Sequence, residues 1–250
     1  MAFTSNPKVD SKKTEKISNA LDINLPGKRL RAEKLSFFEY LYFNTVQKLS
    51  VIAFEKLCDG KIENPEHITH LDSGFILASN HSSYFDWLVL YSVFKKRFNR
   101  EIMFLAKEKL FKSMVWGKLV KAAKCIKVTD SGISPSSMKR IARLIKTKDI
   151  IGVFPEGTRS IDGELLPAKE GVVQIARMTK LPIIPVGLEG FYEIWPKDRR
   201  FPWFSKCRII IGDPIYIGNT FEDENSLDYE KSLRTVMEAI GKLINKAYKY

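Results

Sequence analysis

The sequence is poor in side chains that bind metals or form cross-links. Its three cysteines, Cys58, Cys125 and Cys207, lie far apart and form no C-x-x-C pair, and there are only three histidines. This composition excludes a disulfide framework and offers no familiar ligand spacing for zinc. We therefore expect no metal site and no bound cofactor.

Long apolar runs are also missing. No stretch reaches the roughly 18 consecutive apolar residues that indicate a membrane-crossing helix. The opening residues MAFTSNPKVDSKKTEK contain no apolar core of a secretory signal. The sequence therefore predicts no bilayer-spanning helix and a location in the cytosol or on the cytoplasmic face of the cell membrane.

Acidic residues are scarce in one part of the chain. Residues 91–148 contain 16 basic and three acidic residues, so this stretch carries +13, and the rest of the chain, whose total is +12, sums to −1. A concentrated positive field suits an anionic partner, which can be a lipid surface, an acidic protein or nucleic acid. A solvated lysine-rich surface is the simpler alternative.

Residues 35–58 show the periodicity of an amphipathic helix. Its apolar stripe consists of Leu35, Phe38, Leu41, Tyr42, Val46, Leu49, Ile52, Ala53 and Leu57. Phe37, Phe43 and Phe54 fall outside that stripe, which leaves more aromatic surface than one packing face needs. Either the helix lies in the headgroup zone of a membrane, or the extra aromatics pack on the main domain or on a second subunit. In the first case, lipid phosphates would contact a preceding basic flank of Lys28, Arg29, Arg31 and Lys34.

From about residue 74, short β-rich runs alternate with segments of helix length. The candidate strands are residues 75–78, 102–105, 125–129, 150–154, 183–188 and 208–211. The candidate helices are residues 85–98, 109–124, 135–148, 169–180 and 228–248. This order predicts an α/β fold with a largely parallel sheet flanked by helices. We predict an N-terminal helical membrane-interface segment at 1–62 and an α/β domain at 63–250.

Two polar motifs follow two of these strands. NHSSYFD, residues 80–86, contains His81 and Asp86, and FPEGTRS occupies residues 154–160. Because ligands bind beyond the carboxyl ends of parallel strands, both motifs are expected at one edge of the sheet. His81 and Asp86 would lie about 140° apart on a continuous helix, so they can meet only if the chain turns between them. The simpler alternatives are a capping box of Ser83 with Asp86 and a histidine that bonds to a loop backbone.

Together these motifs resemble the glycerolipid acyltransferase family. The similarity is greatest to its PlsC-type branch of bacterial 1-acyl-sn-glycerol-3-phosphate acyltransferases. Residues 184–187, IPVG, resemble the family's fourth motif, and Lys169-x-Gly171 fits the pattern after the third. The resemblance covers roughly residues 74–217, and two motifs in the right order are far more specific than either alone.

The resemblance implies transfer of a fatty acyl group from a thioester to the sn-2 hydroxyl of lysophosphatidic acid, giving phosphatidic acid. His81 would act as general base, oriented by Asp86, with no acyl-enzyme, and the chain has no G-x-S-x-G elbow. Arg159 is the expected phosphate ligand, and Glu156 would orient Arg159 or bind the acceptor glycerol. Gly157 would allow a tight turn that exposes N–H donors. The full set of expected substrate-binding residues is Asn80, Glu156, Gly157, Thr158, Arg159, Lys127 and Lys169.

One position departs from the family pattern. The family's second motif usually ends in an arginine that helps to bind the acceptor phosphate, whereas this chain has KCIKVTD at 124–130. Lys127 or Lys124 would have to substitute, and lysine lacks the paired donors of arginine.

The expected partners are lysophosphatidic acid, a thioester of acyl carrier protein or coenzyme A, and a membrane surface with anionic lipids, on which the chain would be peripheral or monotopic. Two alternatives stay open: a glycerol-3-phosphate or other lysophospholipid acyltransferase, and a basic nucleic-acid-binding module. Against the second, the few aromatics of the basic stretch show no RNA-binding pattern, so no nucleic acid is expected as a partner.

Overall fold

A computed structural model describes residues 36–114, 116–129, 132–144, 149–217 and 229–250. Residues 35–250 form one compact unit. Its helices are α1 (Phe37–Ile52), α2 (Glu66–Thr69), α3 (Asp86–Phe98), α4 (Glu108–Phe111), α5 (Trp116–Ala122), α6 (Pro135–Leu144), α7 (Gly171–Thr179), α8 (Phe191–Ile194) and α9 (Tyr229–Leu243). Its strands are β1 (Lys61–Glu63), β2 (Phe75–Ser79), β3 (Ile102–Lys107), β4 (Ile126–Thr129), β5 (Gly132–Ile133), β6 (Ile150–Val153), β7 (Ile183–Glu189) and β8 (Arg208–Ile211).

Within the described part of the chain, eight strands form one sheet in the order β1-β8-β7-β2-β6-β3-β4-β5. The pairs β7–β8 and β4–β5 are antiparallel, and the other neighbours are parallel. The prediction of a largely parallel sheet is therefore confirmed. Strand β2 lies between β6 and β7 and is buried along its whole length. Its near-continuous apolar run is typical of a strand covered on both faces.

Both faces of the sheet carry a hydrophobic core. One core includes α1 and α3, and the other includes α7 and α9. Leu77 faces the first core and Ile76 faces the second, as the alternation of side chains along a strand requires. The carboxyl ends of β2, β6 and β3 consequently meet at one rim between the two helical layers.

Helix α1 packs on the sheet domain with a different face from the sequence-predicted apolar stripe. Ser36 and Glu39 form a capping box at its start. Phe43 is buried against Tyr91, and Phe54, in the π-helical turn Ala53–Leu57 that continues α1, is buried close to Phe191. Most of the stripe is exposed instead, namely Phe38, Leu41, Tyr42, Leu49, Ile52 and Leu57. Two of the three extra aromatics, Phe43 and Phe54, thus pack in the hydrophobic core, and most of the apolar stripe of α1 is at the surface.

The proposed domain boundary between residues 62 and 63 falls within β1, which pairs with β8. Helix α1 and the sheet therefore belong to the same compact unit. The predicted basic flank at Lys28, Arg29, Arg31 and Lys34 lies outside the described residues, and a membrane-interface role for residues 1–62 stays a prediction. Within the described residues, every helix is too short or too polar to span a bilayer.

Candidate active site

The loop after β2 brings His81 and Asp86 into contact. Nδ1 of His81 lies 2.8 Å from Oδ2 of Asp86. The same oxygen accepts the backbone N–H groups of Ser82 and Ser83, each at 2.8 Å. Because Oδ2 acts as the acceptor for these donors, Nδ1 carries a proton, and in the neutral form of the ring the lone pair is then on Nε2. The side chain of Asp86 is 0% exposed, and this burial fixes the pair in one geometry.

The start of helix α3 agrees only in part with the capping-box alternative. The helix begins at Asp86 with Phe85 as its N-cap, and no side chain caps it. Asp86 instead reaches back to the loop N–H groups, while the Ser83 hydroxyl accepts from the Phe85 N–H and donates to the Trp195 carbonyl oxygen. One half of the capping box of Ser83 with Asp86 is thus present, the bond from the Ser83 N–H to Asp86, whereas the Ser83 hydroxyl accepts the N–H of Phe85 and not that of Asp86. The same turn places Asp86 against His81.

Segment 156–160 holds the backbone of His81 from both sides. Oε1 of Glu156 accepts the His81 N–H at 2.9 Å, and the Ser160 N–H donates to the His81 carbonyl oxygen at 2.8 Å. The other carboxylate oxygen of Glu156 accepts the Leu166 N–H at 3.0 Å. The two sequence motifs are thus joined through main-chain groups, which fixes the position of the imidazole.

Glu156 is a positioning residue in this arrangement. It is 3% exposed, and burial raises the pKa of its carboxyl to about 7, against the opposing effect of its two N–H donors. Its two carboxylate oxygens accept the N–H groups of His81 and Leu166, and a role of Glu156 in orienting Arg159 or binding the acceptor glycerol stays a prediction.

Asn80 forms hydrogen bonds that stabilise the sheet. Its amide donates to the Leu188 carbonyl oxygen at 3.0 Å and accepts the Leu188 N–H at 2.8 Å, so it joins β2 to β7. It is buried and does not line the cavity beside His81. These bonds to Leu188 replace the substrate contact that we predicted.

An apolar cavity of about 140 Å³ opens beside the imidazole. Its lining consists of His81, Ser83, Tyr84, Trp87, Phe104, Leu105, Ala106, Leu110, Trp116, Val120, Cys125, Phe154 and Arg159. Phe154 stacks on the His81 ring with their centroids 4.0 Å apart, and Phe104 stacks on Phe154 at 5.2 Å. Burial raises the pKa of the Cys125 thiol to about 12, so this cysteine is a neutral wall residue and not a nucleophile.

Arg159 is part of the lining of this cavity. Its guanidinium carbon is 3.4 Å from the centre of the Tyr84 ring, and Tyr84 stacks in turn on Trp116. Within the described part of the chain, Nη1 of Arg159 is buried without a hydrogen-bond partner. A buried guanidinium N–H without an acceptor is costly, so the arrangement favours an anionic ligand at this point.

The remaining predicted residues are distributed around the same rim. Gly157 has φ +65°, which confirms the tight turn, but its N–H donates to the Phe154 carbonyl oxygen and is not free for a ligand. Thr158 is exposed. The Lys169 side chain lies over Gly157, because a Cβ at that glycine would be 3.7 Å from the Lys169 ammonium.

Lys127 is placed elsewhere. Its ammonium lies 3.8 Å from Oε1 of Glu108 and 5.6 Å from the centre of the Phe111 ring. It does not line the His81 cavity. A contact between Lys127 and a ligand held beside His81 is therefore not supported by its position.

Sequence reasoning missed several residues at this rim. Tyr84 lies inside the NHSSYFD motif, between His81 and Asp86, and this position in the sequence could have indicated that it belongs to the site. Lys107 ends β3 and, with Lys109 and Lys112, lines a polar pocket of about 300 Å³. Its signal was its position two residues after the candidate strand 102–105, although we counted it only in the positive charge of residues 91–148.

Comparison with known proteins agrees with this geometry. The acyltransferase family model matches residues 60–189, a little over half of the chain. A 1-acyl-sn-glycerol-3-phosphate acyltransferase of Bacillus subtilis is 31% identical over 189 residues, which cover 74% of this chain and 86% of that protein. The chain belongs to the acyltransferase family. This membership favours an enzyme over the nucleic-acid-binding alternative.

Two further relatives of this acyltransferase show how far the similarity extends. A 1-acyl-sn-glycerol-3-phosphate acyltransferase alpha of mouse is 30% identical over 56% of the chain, which spans half of the mouse protein's length. The crystal structure of PlsC, a 1-acyl-sn-glycerophosphate acyltransferase from Thermotoga maritima, superposes with a TM-score of 0.61 over 96% of this chain and 91% of that one, at 24% identity. This last similarity confirms the α/β fold.

Proposed function

We propose that this acyltransferase transfers a fatty acyl group from a thioester of acyl carrier protein or coenzyme A to the sn-2 hydroxyl of lysophosphatidic acid. The names of its Bacillus subtilis and mouse relatives support lysophosphatidic acid as the acceptor. The observation that carries the reaction is the 2.8 Å contact of Asp86 with His81, whose ring lines an apolar cavity.

In the proposed mechanism, Nε2 of His81 takes the proton of the acceptor hydroxyl as its oxygen attacks the thioester carbonyl. A C–O bond forms, the C–S bond breaks, and the imidazolium returns the proton to the departing thiolate. Asp86 holds the tautomer and stabilises the positive charge on the ring, as the aspartate does in a serine hydrolase triad. No side chain carries the acyl group, so no acyl-enzyme forms.

The acceptor phosphate would bind to Arg159. Its partnerless Nη1 supplies a donor, and Tyr84 holds the guanidinium in place by stacking. Lys169, which lies over the Gly157 turn, would add a second positive charge. The acyl chain would enter the apolar cavity, whose roughly 140 Å³ is below the approximately 300 Å³ at which ligand pockets typically begin. It would therefore hold only the carbons nearest the carbonyl.

We also propose that the enzyme works as a peripheral or monotopic protein on the cytoplasmic face of the cell membrane. Support comes from the exposed apolar stripe of α1, since an exposed apolar surface of this extent marks an interaction site. The positive charge of residues 91–148 suits anionic lipid headgroups.

The test offers purified protein lysophosphatidic acid or glycerol 3-phosphate, each with acyl carrier protein or coenzyme A thioesters, and resolves the products by mass. We expect phosphatidic acid from lysophosphatidic acid. His81→Ala should lower the rate at least roughly a hundredfold because it removes the base, with an unchanged circular-dichroism spectrum. His70→Ala, which changes an exposed histidine whose ring bonds to the Glu66 carbonyl oxygen, should keep the full rate. Undiminished transfer by the His81 variant would refute the mechanism.

A further inference from the structure

A second exposed aromatic surface lies in the loop between α8 and β8, far along the chain from α1. We call residues 195–206, WPKDRRFPWFSK, the aromatic loop. Phe201 is 67% exposed, Trp203 is 72% exposed and Phe204 is 46% exposed. The loop also has four basic residues and one acidic residue, a net charge of +3, from Lys197, Asp198, Arg199, Arg200 and Lys206.

The fold itself presents these rings to solvent. The Trp203 N–H donates to the Ile194 carbonyl oxygen at 2.7 Å, and Nε1 of Trp195 donates to the Arg199 carbonyl oxygen at 3.1 Å. Arg199 in turn donates from Nη1 to the Glu193 carbonyl oxygen at 2.8 Å. The loop is thus anchored at its base while its three large rings project outward. Three neighbouring exposed rings are typical of an interaction site.

The aromatic loop lies at the same rim of the sheet as the candidate active site. It follows the carboxyl end of β7 and leads into β8, whose Arg208 pairs with Glu189. The Trp195 carbonyl oxygen accepts the Tyr84 N–H at 3.0 Å and the Ser83 hydroxyl at 3.1 Å. A partner bound to the loop would therefore sit next to the His81 cavity.

The loop also adjoins the end of the α1 region. Its last residue precedes Cys207, whose N–H donates to the Cys58 carbonyl oxygen at 3.2 Å. Leu57, beside Cys58, is an exposed member of the α1 stripe. The main chains of the two segments that carry exposed apolar side chains are thus adjacent at residues 58 and 207.

We propose that the aromatic loop is a second membrane contact, which inserts Phe201, Trp203 and Phe204 into the headgroup zone of a bilayer that contains anionic lipids. Aromatic rings flanked by Lys and Arg are the side chains that favour the membrane–water interface. The inference rests on the proposed function in one respect, that the substrates are lipids drawn from this surface. A second copy of the chain fits poorly, because a self-complementary contact would bring two +3 loops together.

The first experiment measures binding of the full chain to vesicles of phosphatidylcholine, with and without phosphatidylglycerol, in the absence of substrate. Changing Phe201, Trp203 and Phe204 to serine together should weaken binding at least roughly tenfold, since three rings lose their burial in the interface. The matched control is Tyr216→Ser, a ring that is also exposed but follows Ile215, which bridges to the start of β7 at the opposite edge of the sheet. This control should bind as the unchanged chain does.

The second experiment locates Trp203 directly. Vesicles whose acyl chains carry bromine should quench part of the tryptophan emission, and Trp203→Phe should remove that part while preserving binding. Unquenched Trp203 emission in vesicle-bound protein would overturn the proposal, as would a triple-serine variant that binds like the unchanged chain. So would sedimentation showing that the triple change only separates a dimer into monomers.

Failure of this inference is distinguishable from failure of the proposed function. With short-chain substrates dispersed as monomers in water, the triple-serine variant should keep the unchanged rate, because membrane docking is then unnecessary. If no protein, including the unchanged chain, transfers acyl groups under these conditions, the proposed function fails while the binding and quenching results still decide the role of the loop.

Discussion

At the scale of single residues, three polar side chains of the site have different contacts. Asp86 fixes the tautomer of His81, Glu156 fixes its backbone, and Arg159 keeps a donor available. Charge-assisted hydrogen bonds of this kind contribute about 1.5–3 kcal/mol each, so the loop geometry is strongly determined. The position of His81 is thus set by its hydrogen bonds with Asp86 and Glu156.

The buried carboxyl of Glu156 leads to a prediction about stability and pH. Its pKa is about 7 in the folded chain and about 4.3 in an unfolded chain. Between these values the folded state binds more protons than the unfolded state, so this group lowers stability as pH rises through that window.

In the Glu156→Gln variant, the glutamine side chain cannot titrate, so the free energy of unfolding should lack the pH-dependent contribution of Glu156. The free energy of unfolding of the unchanged chain, relative to that of the variant, should therefore fall by up to about 3 kcal/mol between pH 4.5 and 7.5. Urea titrations of both proteins at the two pH values measure it. A difference that stays constant with pH would show that the carboxyl does not titrate in this range.

At the scale of elements, α1 has two faces with different tasks. Phe43→Ala should lower the free energy of unfolding by about 3–5 kcal/mol because it leaves a cavity against Tyr91. Leu49→Ser, at a position that is 58% exposed, should leave the melting temperature nearly unchanged and weaken vesicle binding several-fold. Thermal melts and vesicle sedimentation on both variants check this pair. The opposite pattern would mean that the stripe belongs to the core.

The sequence predicts most elements of the sheet because strands and helices of different period alternate along it. The bounds predicted for β8 match the structure, and α3 begins one residue later than predicted. The helix predicted at 109–124 is instead two helices, since the Ser113 hydroxyl accepts the Trp116 N–H and starts α5 anew. Strand β1 was missed because its three residues carry no apolar run.

Which face of α1 is buried, and what Asn80 and Glu156 bind, could not be read from the sequence. Periodicity identifies an apolar stripe but not its partner. Asn80 finds its partner 108 residues away at Leu188, and Glu156 finds His81 75 residues away. Neither of these long-range pairings leaves a local pattern in the sequence. The contact between His81 and Asp86 could be predicted, because it needs only a turn between two residues that are close in the sequence.

At the scale of the whole molecule, charge and apolar surface should act together at a membrane. The chain carries +12, and the positive charge is concentrated in residues 91–148. Some of these residues are neutralised in ion pairs, as Lys95 and Lys124 are by Glu101. The lysines that line the polar pocket at the end of β3 add positive charge to the rim of the sheet that also carries the candidate site.

This charge predicts a salt dependence. Raising ionic strength from 0.1 to 1 M shortens the screening length from about 10 to about 3 Å. Binding to vesicles with phosphatidylglycerol should then weaken at least roughly tenfold, while binding to pure phosphatidylcholine, which depends on the apolar surfaces, should change little. Vesicle sedimentation at both salt concentrations measures this. Equal affinity of the anionic vesicles at both concentrations would show that the positive field does not contribute.

The central position of β2 has a consequence for biosynthesis. During translation, β2 and the attached NHSSYFD loop leave the ribosome before both sheet neighbours of β2. These neighbours, β6 and β7, emerge about 70 to 110 residues later, and β2 cannot pair with them until then. Parallel pairing over such distances is slow. A nascent polypeptide that stops before β7 would therefore carry the histidine and the aspartate without the scaffold that aligns them, and catalytic competence would arise only late in translation.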